Sequence, residues 1–189
     1  SFGLSSRERI GLIGRNGHGK TTLFRLLIGQ EQCDEGTIKI PRDYRIGYLS
    51  QHILFTRPTV LEEGCCGLQE SQKEQEWKVK KILSGLGYSE SDFGRNPSEF
   101  SGGYQIRLNL TKVLVSEPNL LLLDEPTNFL DIISIRWLTS FLNSWQNEIM
   151  IISHDRSFMD SVTTHILGIH RSKIKKIRGS TKDYYDKIS

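Results

Sequence analysis

The octapeptide Gly14–Thr21, GRNGHGKT, constrains this chain more than any other stretch. It fits G-x-x-x-x-G-K-[ST], a spacing whose glycines let the backbone bend until successive N–H groups face one centre. Its flanks are those the motif requires: Arg9–Ile13 is short, apolar and strand-like, and Thr22–Ile28 is apolar at helical spacing. The helix N-terminus adds the positive end of its dipole, so the loop suits a polyphosphate. Gly14, Asn16, Gly17, Gly19, Lys20, Thr21 and the following Thr22 are the candidate phosphate contacts. Lys20 is expected to reach the β- and γ-phosphates, and the Thr21 hydroxyl to ligate Mg²⁺.

Beyond the loop, Asp34–Thr37 reads as a turn, Thr37–Ile40 and Arg45–Leu49 as short strands, and Thr59 as a helix cap. From about residue 60 to 116 the pattern turns helical. Glu70–Lys81 is dense in charge and reads as a solvated face, with Trp77, Ile82, Leu83 and Leu86 as the apolar stripe and Gly85–Gly87 as the stop. Tyr104–Val115 is a second amphipathic helix after Ser101–Gly103. Leu120–Leu123, four consecutive leucines ending at Asp124, reads as a parallel strand buried on both faces. A helix over Ile132–Trp145, a strand over Glu148–Ser153, closing strands at Ser161–Ile169 and Lys173–Ile177, and a short helix over Ser180–Ile188 complete the chain. Strands alternating with helices predict an α/β fold with a mainly parallel sheet.

In such sheets ligands gather at the carboxyl ends of the strands, and three polar sites fall there. They are the phosphate loop after Ile13, Asp124-Glu125 after the leucines, and Ser153-His154 after the Ile149–Ile152 run. Asp124 can hold Mg²⁺ opposite Thr21, directly or through water. Glu125, one residue on, is placed to act as general base on an attacking water. His154 can donate to a γ-phosphate or orient that water, and the Gln51 amide, also at a strand end, can contact Mg²⁺ and water. Ser101, Gly102 and Gly103 open a helix and form a second phosphate-binding candidate.

Composition adds limits. The chain has 189 residues and a net charge of +3, an excess that by itself does not point to nucleic acid, whose binders cluster their cations on one face. No apolar run approaches the ~20 residues that span a bilayer, and no basic-then-apolar leader is present. Cys33, Cys65 and Cys66 lack metal-ligand spacing, and a reduced, cytoplasmic setting is the simplest reading. A first residue of Ser rather than Met reads as an excised fragment.

Taken in order, the phosphate loop, Gln51, Ser101-Gly-Gly-Tyr-Gln105, Asp124-Glu125, Asp131 and His154 resemble the nucleotide-binding domain of the ATP-binding cassette superfamily over nearly the whole chain. The resemblance implies a P-loop NTPase core over 1–57 and 117–180, an inserted α-helical subdomain over 58–116 that carries the signature, and a terminal helix or linker start over 181–189. It also implies ATP and Mg²⁺ as cofactors, and a composite mechanism. Two cassettes pair head to tail, so that Ser101 and Gly103 of one contact the γ-phosphate of ATP on the other, and Asp131 couples the two sites.

Within the superfamily, Glu125-Pro-Thr-Asn-Phe-Leu-Asp131, Ser153-His-Asp-Arg-Ser-Phe158 and the Tyr-containing end at 177–185 are similar to the ABC-F group. That group implies a cytoplasmic protein with two cassettes in one chain, an ATPase acting on the ribosome and its tRNA in translation or ribosome protection. The competing reading is the ATPase subunit of a membrane transporter, paired with a permease. Phe129 stands where the ABC-F loop usually has His, and Asn109 and Thr111 stand where small alanines are common.

Overall fold

Alternating and fully buried apolar runs set the sheet. The computed structural model describes residues 1–15, 19–49, 52–171 and 173–189. In chain order the elements are β1 (Arg9–Ile13), α1 (Lys20–Leu27), β2 (Ile46–Tyr48), α2 (Val60–Cys65), α3 (Glu76–Gly85), α4 (Gly102–Val115), β3 (Leu120–Asp124), α5 (Ile132–Asn143), β4 (Glu148–Ile152), α6 (Arg156–Val162), β5 (His165–His170), β6 (Lys173–Arg178) and α7 (Thr181–Ile188). Their contacts gather them into two units: residues 1–48, 119–125 and 145–189, and residues 49–118 with 126–144.

The first unit is a six-stranded sheet in the order β2-β3-β4-β1-β5-β6. The first five strands run parallel, and β6 is antiparallel to β5. Leu120 and Leu122 share one face with Ile10, Leu12, Met150, Ile152, Leu167 and Ile169, under Phe24 of α1. Leu121 and Leu123 point the other way and are equally buried, so the leucine strand is covered on both faces as its composition predicts. On the opposite side of the sheet Ile166 and Ile177 pack with Met159 of α6 and Tyr184 of α7. Gly168 permits that approach, because a Cβ there would overlap the Tyr184 phenol.

The second unit is helical. The Thr59 hydroxyl accepts from the Glu62 N–H at 3.1 Å and caps α2 as its sequence predicts. Val60, Val79, Ile82, Leu83, Leu86, Leu108 and Leu114 fill the core among α2, α3 and α4. α3 stops at Gly85, and Gly87 takes the left-handed turn at φ 100° that ends such helices. α5 lies against α3, where a Cβ on Gly85 would overlap the Trp137 ring.

Three sequence expectations fail for physical reasons. Residues 37–40 alternate like a strand but are exposed and form no strand; among the described residues β2, the next strand, pairs only with β3. Trp77 is 61% exposed, because Val79, Ile82, Leu83 and Leu86 define the buried stripe of α3 and Trp77 falls outside it. Ser161 and Val162 belong to α6, which is capped by the Asp155 carboxylate and buries Phe158, Met159 and Val162, so the strand begins only at His165.

Candidate functional site

β3, β4 and β1 lie side by side and parallel, with Asp124 opposite Ile152 and Ile152 opposite Leu12. Three chain segments therefore leave the sheet at one level. Gly14 turns the first of them away from β5, where a Cβ would meet the Ile169 carbonyl oxygen at 2.5 Å. Gly19 caps α1 in the left-handed conformation at φ 101° and offers no side-chain acceptor. The first N–H groups of α1 are thus left for a ligand anion, at the positive end of the helix dipole. Asn16 and Gly17 lie outside the described residues, as does Gln51.

Lys20 donates from Nζ to the Gly14 carbonyl at 2.9 Å, folding its ammonium back over the loop it belongs to. Thr22, next along α1, is exposed. The Thr21 hydroxyl lies near the Asp124 carboxylate and favours its ionised form. Burial raises the Asp124 carboxyl above the usual aspartate value, and the Glu125 charge adds to the rise; Lys20 and Thr21 oppose it. An ionised Asp124 is therefore incompletely compensated by the protein alone. A hard cation between Asp124 and Thr21 would relieve that cost, and both supply the oxygen donors Mg²⁺ prefers. Among the described residues no cluster of three His, Cys, Asp or Glu could hold a metal without further ligands.

Glu125 adopts φ 50° and donates its N–H to the Ile152 carbonyl at 2.8 Å. The β3–β4 ladder thus runs one residue past the strand and then turns sharply. Its carboxylate accepts the His154 backbone N–H at 3.3 Å and bonds Nδ1 of the same residue. A carboxylate that is ionised only accepts, so it would take this bond from Nδ1–H, on a ring whose side chain is 70% exposed. Chemically, a carboxylate held by a histidine stands beside a carboxylate–hydroxyl pair fit for Mg²⁺ and a lysine fit for phosphate.

The signature residues belong to the second unit. Ser101 caps α4 through its carbonyl, which accepts the Gln105 N–H at 3.0 Å, while its side chain makes no capping bond; Ser101 and Gly102 are exposed, with open space around Gly102. Gly103 is close-packed: a Cβ would sit 3.3 Å from Cβ of Phe129. Asp131 caps α5, accepting the Ser134 N–H at 2.7 Å, and that bond holds its carboxyl below the usual aspartate value. The residue that sequence reasoning missed is Arg107. It is 7% exposed, donates to the carbonyls of Leu86 at 2.8 Å and Phe129 at 2.9 Å, and lies 3.8 Å from the Asp131 carboxylate. Its guanidinium stacks on Tyr104 at 4.6 Å. One buried cation thereby ties the signature helix to the loop ending in Asp131. The only hint was a charge between apolar neighbours, Ile106 and Leu108.

Lys20, Thr21, Asp124, Glu125 and His154 thus come together at one end of the sheet, and Arg107 links the helix that Ser101 and Gly103 open to the loop ending in Asp131. The sequence matches the ABC transporter family over residues 1–128. Among curated proteins it is similar to the ATP-binding protein YdiF of Bacillus subtilis, at 35% identity over 96% of this chain and 35% of that protein. It is also similar to ABC transporter F family member 5 of Arabidopsis thaliana, at 32% identity over 94% of this chain and 32% of that protein. The chain therefore spans about a third of the length of these relatives. Among solved structures, the ATP-binding subunit of an ABC transporter superposes with a TM-score of 0.83 at 22% identity, over 99% of this chain and 84% of that one, a likeness of fold.

Proposed function

The chain belongs to the ABC transporter family, and from that premise we propose that it is an Mg²⁺-dependent ATP-hydrolysing cassette of ABC-F type, working at the ribosome in the cytoplasm. The observation that carries the catalytic part is Glu125: a carboxylate oriented by His154, one residue beyond the Asp124–Thr21 pair. Bound Mg²⁺ would neutralise phosphate charge between Thr21 and Asp124. Lys20 binds phosphate, the N–H groups of α1 orient it, and Glu125 accepts the proton of the attacking water while His154 holds the carboxylate in place. Gln51, Asn16, Gly17, Gly19 and Thr22 are proposed as further contacts of this site. Ser101, Gly102, Gly103 and Asp131 are proposed to serve the ATP of a second cassette.

The ABC-F assignment is supported by the Glu125–Asp131 loop, the Ser153–Phe158 segment and the similarity to a protein named as an ABC transporter F family member. The second reading, an ATPase subunit paired with a permease, is favoured by the fold likeness to a transporter subunit. No helix among the described residues is long and apolar enough to cross a membrane. Glu125→Gln in the full-length protein is expected to keep ATP binding, to lower steady-state hydrolysis at least ~100-fold, and to leave the protein co-sedimenting with ribosomes in ATP. Unchanged hydrolysis would overturn the role of Glu125. Recovery with a permease in membranes, and none with ribosomes, would select the transporter.

A further inference from the structure

The net charge of +3 conceals a strong asymmetry. Residues 171–189 hold seven of the 25 Lys and Arg but two of the 22 Asp and Glu, so they carry +5 and the other 170 residues carry −2. The whole positive excess belongs to β6, its entry turn and α7. β6 is the last strand of the sheet and, among the described residues, pairs only with β5.

The pleat sorts these charges. Lys173 lies opposite His170, Lys175 opposite Gly168 and Ile177 opposite Ile166. Ile166 and Ile177 pack with Tyr184, so Lys173 and Lys175 stand on the side of the sheet that α7 covers. Lys175 donates from Nζ to the carbonyl of Lys187 in α7 at 3.4 Å. Beside them Tyr185 is 40% exposed, with the Arg156 guanidinium 4.8 Å from its ring. Lys176 points to the other side and is neutralised by Glu8 at 2.6 Å. Among the described residues no carboxylate lies within ion-pair distance of Arg171, Lys173, Lys175 or Lys187, though the charge of Lys187 acts on Asp183 one turn away, whereas Lys78, Lys112 and Lys176 each have a direct partner.

We propose that Lys173, Lys175 and Lys187, with Arg171 at the turn and the Arg156–Tyr185 pair alongside, form a surface that binds the phosphate backbone of RNA. Edge strands carry lysines to block strand addition, but that role does not require Lys187 or the Arg–Tyr platform. Alternate residues of a strand lie about 7 Å apart, of the order of the separation of neighbouring phosphates along one RNA strand. A guanidinium stacked on an exposed aromatic ring adds a platform for an unpaired base at the edge of the contact. An anionic membrane is the poorer fit: Thr181 and Tyr184, the inward side of α7, are buried, and the exposed large apolar residues of α7 among the described residues are Tyr185 and Ile188, too few for a broad inserting face. The inference deepens the ribosomal reading and rests on it for its biological setting.

The experiment measures binding of full-length protein to a labelled RNA duplex about two helical turns long, across a salt series. Changing Lys173, Lys175 and Lys187 together to Glu is expected to weaken binding at least ~10-fold and to flatten the slope of log K against log salt by about 3. A control triple with the same charge change, at the exposed Lys39, Lys80 and Lys81, is expected to stay within about threefold of wild type. A Gln triple at 173, 175 and 187, checked for retained ATP binding, guards against misfolding and is expected to fall between wild type and the Glu triple. Equal losses in both Glu triples, no loss in either, or dependence on the three lysines for phosphatidylserine vesicles but not for RNA would each overturn the proposal. Should the Glu triple at 173, 175 and 187 bind RNA and ribosomes like wild type, the surface is wrong and the ribosomal reading stands. Should wild type ignore ribosomes yet bind RNA through these lysines, the reverse holds.

Discussion

Arg107 shows how one buried side chain can set the geometry of a loop. Its guanidinium satisfies two carbonyls, on Leu86 and Phe129, that come from segments far apart in sequence, and it reaches toward Asp131 from the helix that begins at Ser101. Arg107→Met keeps much of the apolar stem but leaves both carbonyls without their donor, and each unmet buried group costs about 1–3 kcal/mol. The variant is expected to lower the midpoint of urea unfolding, and to reduce hydrolysis more than ATP affinity because the Asp131 loop loses its tether. A stability equal to wild type would show that the carbonyls find other donors. Glu125 is the counterpart in the sheet unit. A left-handed backbone costs a non-glycine residue about 1–2 kcal/mol, and here it coincides with the bond to Ile152 and the grip on His154.

At the scale of elements, Glu63 on α2 illustrates how charge is used inside the helical unit. It is 1% exposed, accepts from Lys112 of α4 at 2.8 Å, and also accepts the N–H groups of Arg57 at 2.8 Å and Thr56 at 3.0 Å. Burial alone would raise its carboxyl, but the Lys112 bond and the two backbone donors together hold it below the usual glutamate value. A carboxyl depressed on folding contributes stability above its unfolded pKa, about 4.3, and loses it as pH falls through the lower folded value. Unfolding of wild type is thus expected to become easier below about pH 4.3. Glu63→Gln is expected to be about 2 kcal/mol less stable at neutral pH and to show a shallower decline in acid. Parallel pH profiles for the two proteins would rule out this account.

What the sequence made legible at this scale follows locality. The phosphate loop, Asp124-Glu125 and His154 each sit where an apolar run meets polar residues, and strand ends need no distant partner to be recognised. The cap at Thr59 and the stop at Gly85–Gly87 are equally local. Residues 37–40 and Trp77 misled because alternation and helical spacing state which residues share a face, not whether anything packs on it. Arg107 was hidden because its partners are carbonyls, which carry no side-chain signal. The basic surface was hidden by averaging, since a small net charge is the difference between an acidic body and a basic end.

For the whole molecule the question is whether one cassette contains its own site. The phosphate loop, Asp124, Glu125 and His154 belong to one unit, while Ser101, Gly103 and Asp131 belong to the other. The Ser101 side chain makes no capping bond to its own helix and Gly102 borders open space, so the N-terminus of α4 keeps donors free for a ligand. If that end serves ATP held by a second cassette, its loss must spare binding at the phosphate loop and remove turnover. Ser101→Arg in the full-length protein is accordingly expected to leave ATP affinity within about threefold of wild type, under 1 kcal/mol. The same change is expected to lower hydrolysis at least ~100-fold, about 2.7 kcal/mol of lost transition-state stabilisation. Lys20→Ala should do the opposite, losing affinity at once, because Lys20 stands in the loop itself. A Ser101→Arg protein that hydrolyses ATP normally would mean that each cassette completes its own site. A fall in affinity matching that of Lys20→Ala would mean that Ser101 contacts the nucleotide of its own cassette. Loss of turnover with affinity intact is the outcome that a site shared between two cassettes requires.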